Sequence, residues 1–254
     1  MINPALHRQP VPVDREQHRH MRVRWPVTDW SVASKLNAIF IAAVEFGDTC
    51  RDYPIVFVRA GQGDDGKPLV APIAVLGMLN EDNLYVEGTG WRQAGYLPAV
   101  LRGYPFGIAR IDNARFAICM DAAWPGLNPD DGEPLFTPDG QPGSLLAQTQ
   151  AQLEKLEVEI QRTRLVCARL LELDLLRDMR FDATLPDGRK HTVDGFLTVD
   201  EGKLAALPDA TIVEMHRQGL LGLVHAHWVS LGNMRKLLDW HVQRHGAMPA
   251  AAPN

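Results

Sequence analysis

Cysteine is scarce in this chain: Cys50, Cys119 and Cys167 are the only three in 254 residues, and none forms a C-x-x-C pair. An odd number of widely spaced cysteines makes a poor disulfide framework, and a chain this long can stabilise itself through its core. Reduced, buried thiols in a reducing compartment, the cytoplasm, are therefore expected. A long apolar run is also missing. The longest, AIFIAAVEF at 38–46, is interrupted by Glu45 and falls well short of the roughly 20 residues that a membrane span needs, which excludes a transmembrane helix. The opening MINPALHRQPVPVDREQHRH has no apolar stretch ahead of its prolines and charges, so no secretory leader is expected. Basic excess is absent too. With 26 Lys+Arg against 31 Asp+Glu the net charge is −5, which argues against a phosphate-backbone partner, so nucleic acid is not expected.

Several common chemistries lack their signatures. There is no Walker A loop, no G-x-G-x-x-G opening a helix, no G-x-S-x-G, no H-E-x-x-H and no paired Cys/His zinc spacing. The acidic loop NPDDGEPLFTPDG carries Asp130, Asp131, Glu133 and Asp139, but not at the spacing of a calcium loop.

What is present is an ordinary globular composition, 46% hydrophobic and 22% charged. The organisation expected is an extended, proline-punctuated arm over residues 1–13, a single domain over 14–245 and a flexible tail over 246–254, with chemistry at neither end. From Tyr53 to Asp121 the segments PIVFVRA, LVAPIAVLGML, NLYVE, FGIARI and RFAICMD read as strands, rich in Val, Ile and aromatics. Their connections are too short for parallel crossovers, which favours antiparallel pairing. Ahead of them, WSVASKLNAIFIAAVEF reads as a helix beginning near Asp29 or Ser31.

Residues 144–176 run without Gly or Pro and predict one long helix, with Ser144 as N-cap. Leu146, Leu153, Ile160 and Cys167 fall in one heptad column, and Thr149, Leu156, Thr163 and Leu170 in the next. This narrow seam suits docking on the chain's own sheet; pairing between subunits, a homodimer through the 144–176 helix, is the alternative. MRFDATLPDGRKHTVDGFLTVD reads as a hairpin turning at PDGR, LPDATIVEMHRQG as a short helix, and residues 220–241 as a C-terminal helix beyond Gly219. The fold class is α+β: a largely antiparallel β-sheet with a long central helix and a C-terminal helix.

LVHAHWVSLGNMRKLLDWH places His225 and His227 two residues apart, a metal pattern if the segment were a strand. On a helix, residues two apart point about 200° from one another, and Leu220, Val224, His227, Leu231, Met234 and Leu238 keep helical spacing. Chelation by the pair is thus not expected, and no metal or cofactor is predicted. His227, inside the apolar stripe, is either a hydrogen-bonded core histidine or a pocket residue. His241 lies over three turns away, too far to share an ion with it.

Two segments have recognition chemistry. Arg15, His18, Arg19, His20, Arg22 and Arg24 crowd the N-terminal region, where they form either an anion-binding cluster or a solvated face with structural ion pairs. Residues 91–110 set Trp91, Tyr96, Tyr104 and Phe106 among Arg92, Arg102 and Arg110. Aromatic faces with arginine forks make recognition surfaces, although a packed corner between strands is the blander reading.

The ordered set VDREQHRHMRV, YPIVFVRA, VLGM with NLYV, W-x-x-x-YLPAVLRGYPFGIAR, DGEPLFTPDGQPGSLL, LPDGRKHTVDGFLTVDEGKLAALPD and MHRQGLLGLVHAHWVSLGNMRKLL resembles the bacterial SapC family over about residues 11–240. The resemblance brings no catalytic motif. It implies a link to a paracrystalline surface layer, from which the family takes its name. It also implies an accessory or modification role beside flavin-dependent halogenase-like and iron/2-oxoglutarate oxygenase-like proteins and outer-membrane receptors.

The leading expectation is a binding or accessory protein, leaning away from an enzyme, that recognises a small anionic ligand or a protein partner. The residues expected to carry it are His18, Arg22, Trp91, Tyr96, Arg102, Tyr104, Arg110 and His227, with the arginines exposed along one concavity. The alternatives are an iron-dependent enzyme and an assembly protein using the long helix. In the enzyme, His227 would meet His18, His20, His191 or His216 and a carboxylate such as Glu45 or Glu133.

Overall fold

A computed structural model describes residues 2–63, 65–92, 95–111, 116–184 and 190–245, with the side chains of 183, 184, 190 and 191 also outside the description. The strands are β1 (Pro10–Pro12), β2 (Arg22–Val23), β3 (Ala38–Phe40), β4 (Ile55–Gln62), β5 (Pro68–Val75), β6 (Val86–Glu87), β7 (Gly90–Trp91), β8 (Phe106–Arg110), β9 (Phe116–Asp121), β10 (Leu127–Asn128), β11 (Glu133–Pro134), β12 (Leu176–Thr184) and β13 (Lys190–Val199). The helices are α1 (Phe46–Thr49), α2 (Ala99–Gly103), α3 (Ser144–Glu172), α4 (Glu201–Ala205), α5 (Asp209–Arg217), α6 (Leu220–Ser230) and α7 (Asn233–His245).

The central sheet has the order β12-β13-β4-β5-β3, flanked by the smaller sheets β1-β9-β8, β10-β2-β11 and β6-β7. Every pairing among the described strands is antiparallel. The fold is α+β, with a long central helix and helical structure at the C-terminal end. No helix among the described residues is long and apolar enough to cross a membrane.

The apolar seam of α3 is buried within its own chain: Leu146, Thr149, Leu153, Ile160, Thr163, Cys167 and Leu170 all face inward, and the helix packs on β5, β8, α2 and the 3-10 turn at Ala43–Glu45. Each fully buried aliphatic side chain contributes roughly 1.5–3 kcal/mol. Of the two threonines in this seam, Thr163 has a local role. Thr163 Oγ1 accepts from Ala43 N at 2.8 Å and donates to Glu159 O at 2.6 Å, so it anchors the 3-10 turn to the helix. The seam is thus occupied within its own chain, and the outer face of the helix carries exposed Val158 and Leu165.

Several expectations need correction. The helix ends at Glu172 rather than 176, because β12 begins at Leu176, and Gly143 rather than Ser144 is the N-cap. Residues 29–46 do not form a helix. Ile39 and its neighbours pair with β5 as β3, between 3-10 turns at Ser31–Ala33 and Ala43–Glu45, as β-branched residues on a half-buried sheet favour.

The expected 220–241 helix is two helices broken at Leu231–Gly232. There Ser230 Oγ donates to His227 O and accepts from Ile55 N, while Asn233 Nδ2 donates to Cys50 O. These bonds tie the break to the sheet and to α1.

The N-terminal arm is extended only at β1, which pairs with β9, and Leu6 and His7 beside it are buried. Both nitrogens of the His7 ring are engaged, with Asn3 and with Phe106 O. The PDGR turn and the 246–254 tail lie outside the described residues.

Candidate functional site

A concavity of about 640 Å³ is assembled from four separated segments. Trp25, Val27 and Trp30 come from the stretch after β2; Val44, Glu45 and Asp48 from the 3-10 turn and α1; Tyr96, Leu97, Arg102 and Tyr104 from the strap through α2; and Gln152, Leu153, Lys155, Leu156 and Glu159 from α3. Its volume falls within the range typical of small-molecule sites.

One buried carboxylate holds these walls together. Glu45, 3% exposed, accepts from Ala42 N, Tyr96 Oη and Ala99 N, each at 2.8 Å. It joins the 3-10 turn, the strap and the start of α2, and its hydrogen bonds make it a structural joint rather than an acid or base aimed at a ligand. Tyr96 in turn orients Arg102, whose Nη2 donates to Tyr96 Oη at 3.1 Å and whose guanidinium lies 5.1 Å from the ring centroid. Burial first, and the Glu45 carboxylate second, push the Tyr96 hydroxyl far above its ordinary pKa, so it stays a donor. Tyr104, buried, donates to Asp121 Oδ2 at 2.8 Å, and burial with that carboxylate raises its pKa as well.

The groove's charges are not equivalent. Asp48 pairs with Arg51, just past the end of α1, and Glu159 with Arg162 on α3 at 2.6 Å, so both acids have cationic partners nearby in sequence. Arg102 is held by a neutral tyrosine, and Lys155 is exposed on α3. The site is an apolar cleft with aromatic walls and a basic edge.

Of the residues expected from sequence, Tyr96, Arg102 and Tyr104 meet in this groove, whereas the others lie elsewhere. Trp91 donates from Nε1 to Tyr53 Oη at 3.1 Å and packs against Trp30 and Tyr85. Arg92 lies over Trp240, 4.7 Å from its ring centroid. Arg110 pairs with Glu157 at 3.2 Å and lies over Phe116, so the arginines of 91–110 do not line one concavity.

The N-terminal basic cluster stitches down the acidic loop. Arg19 donates to Pro138 O, Arg22 to Gly132 O, and Arg24 pairs with Asp131. His18 Nδ1 accepts from Asp14 N within a local turn.

His227 is fully buried between the sheet and α6. Nδ1 lies 2.8 Å from Ile55 O and Nε2 receives Val199 N at 3.2 Å, which fixes the neutral ring with its proton on Nδ1. The Thr198 hydroxyl, 2.8 Å from Nε2, then donates to it. Burial lowers the His227 pKa to about 4, against the weaker upward pull of Ile55 O. His225 points away, exposed, toward Leu221 O, so the two imidazoles diverge as helical spacing requires. His227 does not meet His18, His216 or Glu45, and the His191 side chain lies outside the described residues.

Sequence reasoning missed the walls contributed by Trp25, Trp30, Val44 and α3. It also missed Asp82 with His241 and His245, the only group of three or more His, Cys, Asp or Glu among the described residues with ligand atoms all within 4.8 Å of one another. The signal for the histidine pair was HVQRH, two histidines four apart on a helix.

The fold and groove define a class: an α+β protein with a preformed apolar cleft edged by arginine and lysine. The SapC family model matches residues 13–237, and the chain belongs to the SapC family. No curated protein and no solved structure matches the chain.

Proposed function

We propose that this chain is a binding or accessory protein rather than an enzyme, and that its groove takes a small anionic ligand with an apolar body. The observation that carries this reading is the Glu45–Tyr96–Arg102 relay, which holds a guanidinium at the edge of an aromatic and aliphatic cleft without neutralising it by a carboxylate. The ligand's body packs on Trp25, Val44, Leu97 and Leu156 while its anionic group meets Arg102 and Lys155. The setting we propose for this role is a surface-layer or outer-membrane-linked modification or uptake system, as the resemblance to the SapC family implies. The enzyme alternative built on His227 loses support because both of its ring nitrogens serve the fold.

Calorimetric titration with a medium-chain alkyl carboxylate and with the alcohol of equal chain length tests the reading. The carboxylate binds at least about tenfold tighter, as a hydrogen bond to a charged group predicts, and Arg102→Gln removes that preference while leaving the fold intact. Equal binding of the two probes, or none of either, overturns the small-anion reading; a protein partner would then be the occupant to pursue.

A further inference from the structure

The geometry points to a second site, independent of the groove: a divalent transition-metal site formed by Asp82, His241 and His245. His241 and His245 are four apart on α7 and so share one face, with ring centroids 4.8 Å apart. Asp82 Oδ2 lies 3.0 Å from His245 Nε2 and 3.9 Å from His241 Nδ1. Neighbouring ligand atoms around a four-coordinate zinc ion, at bonds of about 2.0–2.1 Å, sit about 3.3 Å apart. The two carboxylate–imidazole spacings bracket that value, and all three ligand atoms lie within 4.8 Å of one another, so side-chain adjustments on the order of an ångström bring them around one ion.

The carboxylate is aimed by its surroundings. Arg244 Nη1 binds the other oxygen, Asp82 Oδ1, at 3.2 Å and Asn83 O at 2.7 Å, while Nη2 donates to Val86 O. This leaves Oδ2 toward the imidazoles, the kind of orientation by an outer partner that tunes metal ligands.

The loop bearing Asp82 is fixed from beneath. Asn83 is fully buried, donates to Ala33 O and accepts from Tyr85 N. A Cβ at Gly77 would lie 1.7 Å from Asp82 O, so only glycine admits the loop in this position.

The side chains of His241, Asp82 and His245 are 0%, 13% and 35% exposed, a gradient that leaves one side open for ion entry and for water to complete the coordination. Two nitrogens and one carboxylate oxygen suit a borderline ion, and Zn2+ is the probe to use. Because the family match ends at residue 237, both histidines lie beyond it.

The test uses the full chain without an affinity tag, stripped by chelator and titrated with Zn2+, with bound zinc counted by elemental analysis. One zinc per chain is expected, raising the melting temperature. His245→Ala and Asp82→Asn should each weaken binding by at least about 10- to 100-fold, the loss that even an outer partner can cause, and abolish the zinc-dependent shift. His245 is the most exposed ligand, so the zinc-free melting temperature of His245→Ala should stay near that of the parent. His225→Ala, which removes an exposed histidine on α6, should bind as the parent does. Failure to retain zinc, or zinc binding unchanged by His245→Ala, would overturn the assignment.

Discussion

Arg102 and His227 carry similar chemical promise in the sequence but end in opposite circumstances. His227 lies at 0% exposure with Ile55 O, Val199 N and the Thr198 hydroxyl around its ring, so its polarity serves the joint between α6, β4 and β13. Arg102 is exposed at the groove, oriented by Tyr96 and matched by no carboxylate in its hydrogen bond. A polar side chain recognises something outside the chain only where the chain itself has not satisfied it. By that criterion Arg22, bonded to Gly132 O, belongs with His227.

The largest effect should fall on the satisfied group. His227→Ala removes core volume and strands the Ile55 carbonyl and the Val199 N–H, and it should cost about 3–5 kcal/mol of unfolding free energy, read by urea denaturation. A loss below about 0.5 kcal/mol, the usual range of surface changes, would erase the contrast with Arg102.

Acid sharpens the same point. The unfolded imidazole takes its proton near the ordinary 6.5 and the folded one only near 4, so the stability from this group is complete above pH 6.5 and declines as pH falls toward 4. The loss should approach about 3 kcal/mol, and His227→Gln should flatten that part of the pH profile.

Smaller still, Arg22→Ala should cost about 1 kcal/mol through its bond to the acidic loop, with no change in carboxylate binding. Arg102→Ala should shift stability least, by about 0.5 kcal/mol, yet lower carboxylate affinity at least about tenfold.

Periodicity made much of the architecture legible. The unbroken run after Pro142 and Gly143 announces α3, the Val- and Ile-rich stretches announce β4 and β5, and the Asp-Gly turn signal announces the β12–β13 pair. The helix expected at 29–46 failed because a short apolar run fits either period, and here the exposed edge of β5 captured it as β3. The break at Leu231–Gly232 was hidden because its cause, Ser230 bonding to Ile55, spans 175 positions.

The groove was half visible. Tyr96, Arg102 and Tyr104 lie close together in sequence, but Trp25, Val44 and Lys155 join them only through folding. Arg110 shares their local composition but faces Glu157 instead, which composition does not show.

The most direct measurement is methyl-resolved NMR of the chain titrated with the alkyl carboxylate. Saturable shifts at Val27, Val44, Leu97 and Leu156, lost in Arg102→Gln, are the predicted result. Shifts confined to Leu165 or Val229, exposed on other surfaces, or no saturable shifts at all, would contradict it.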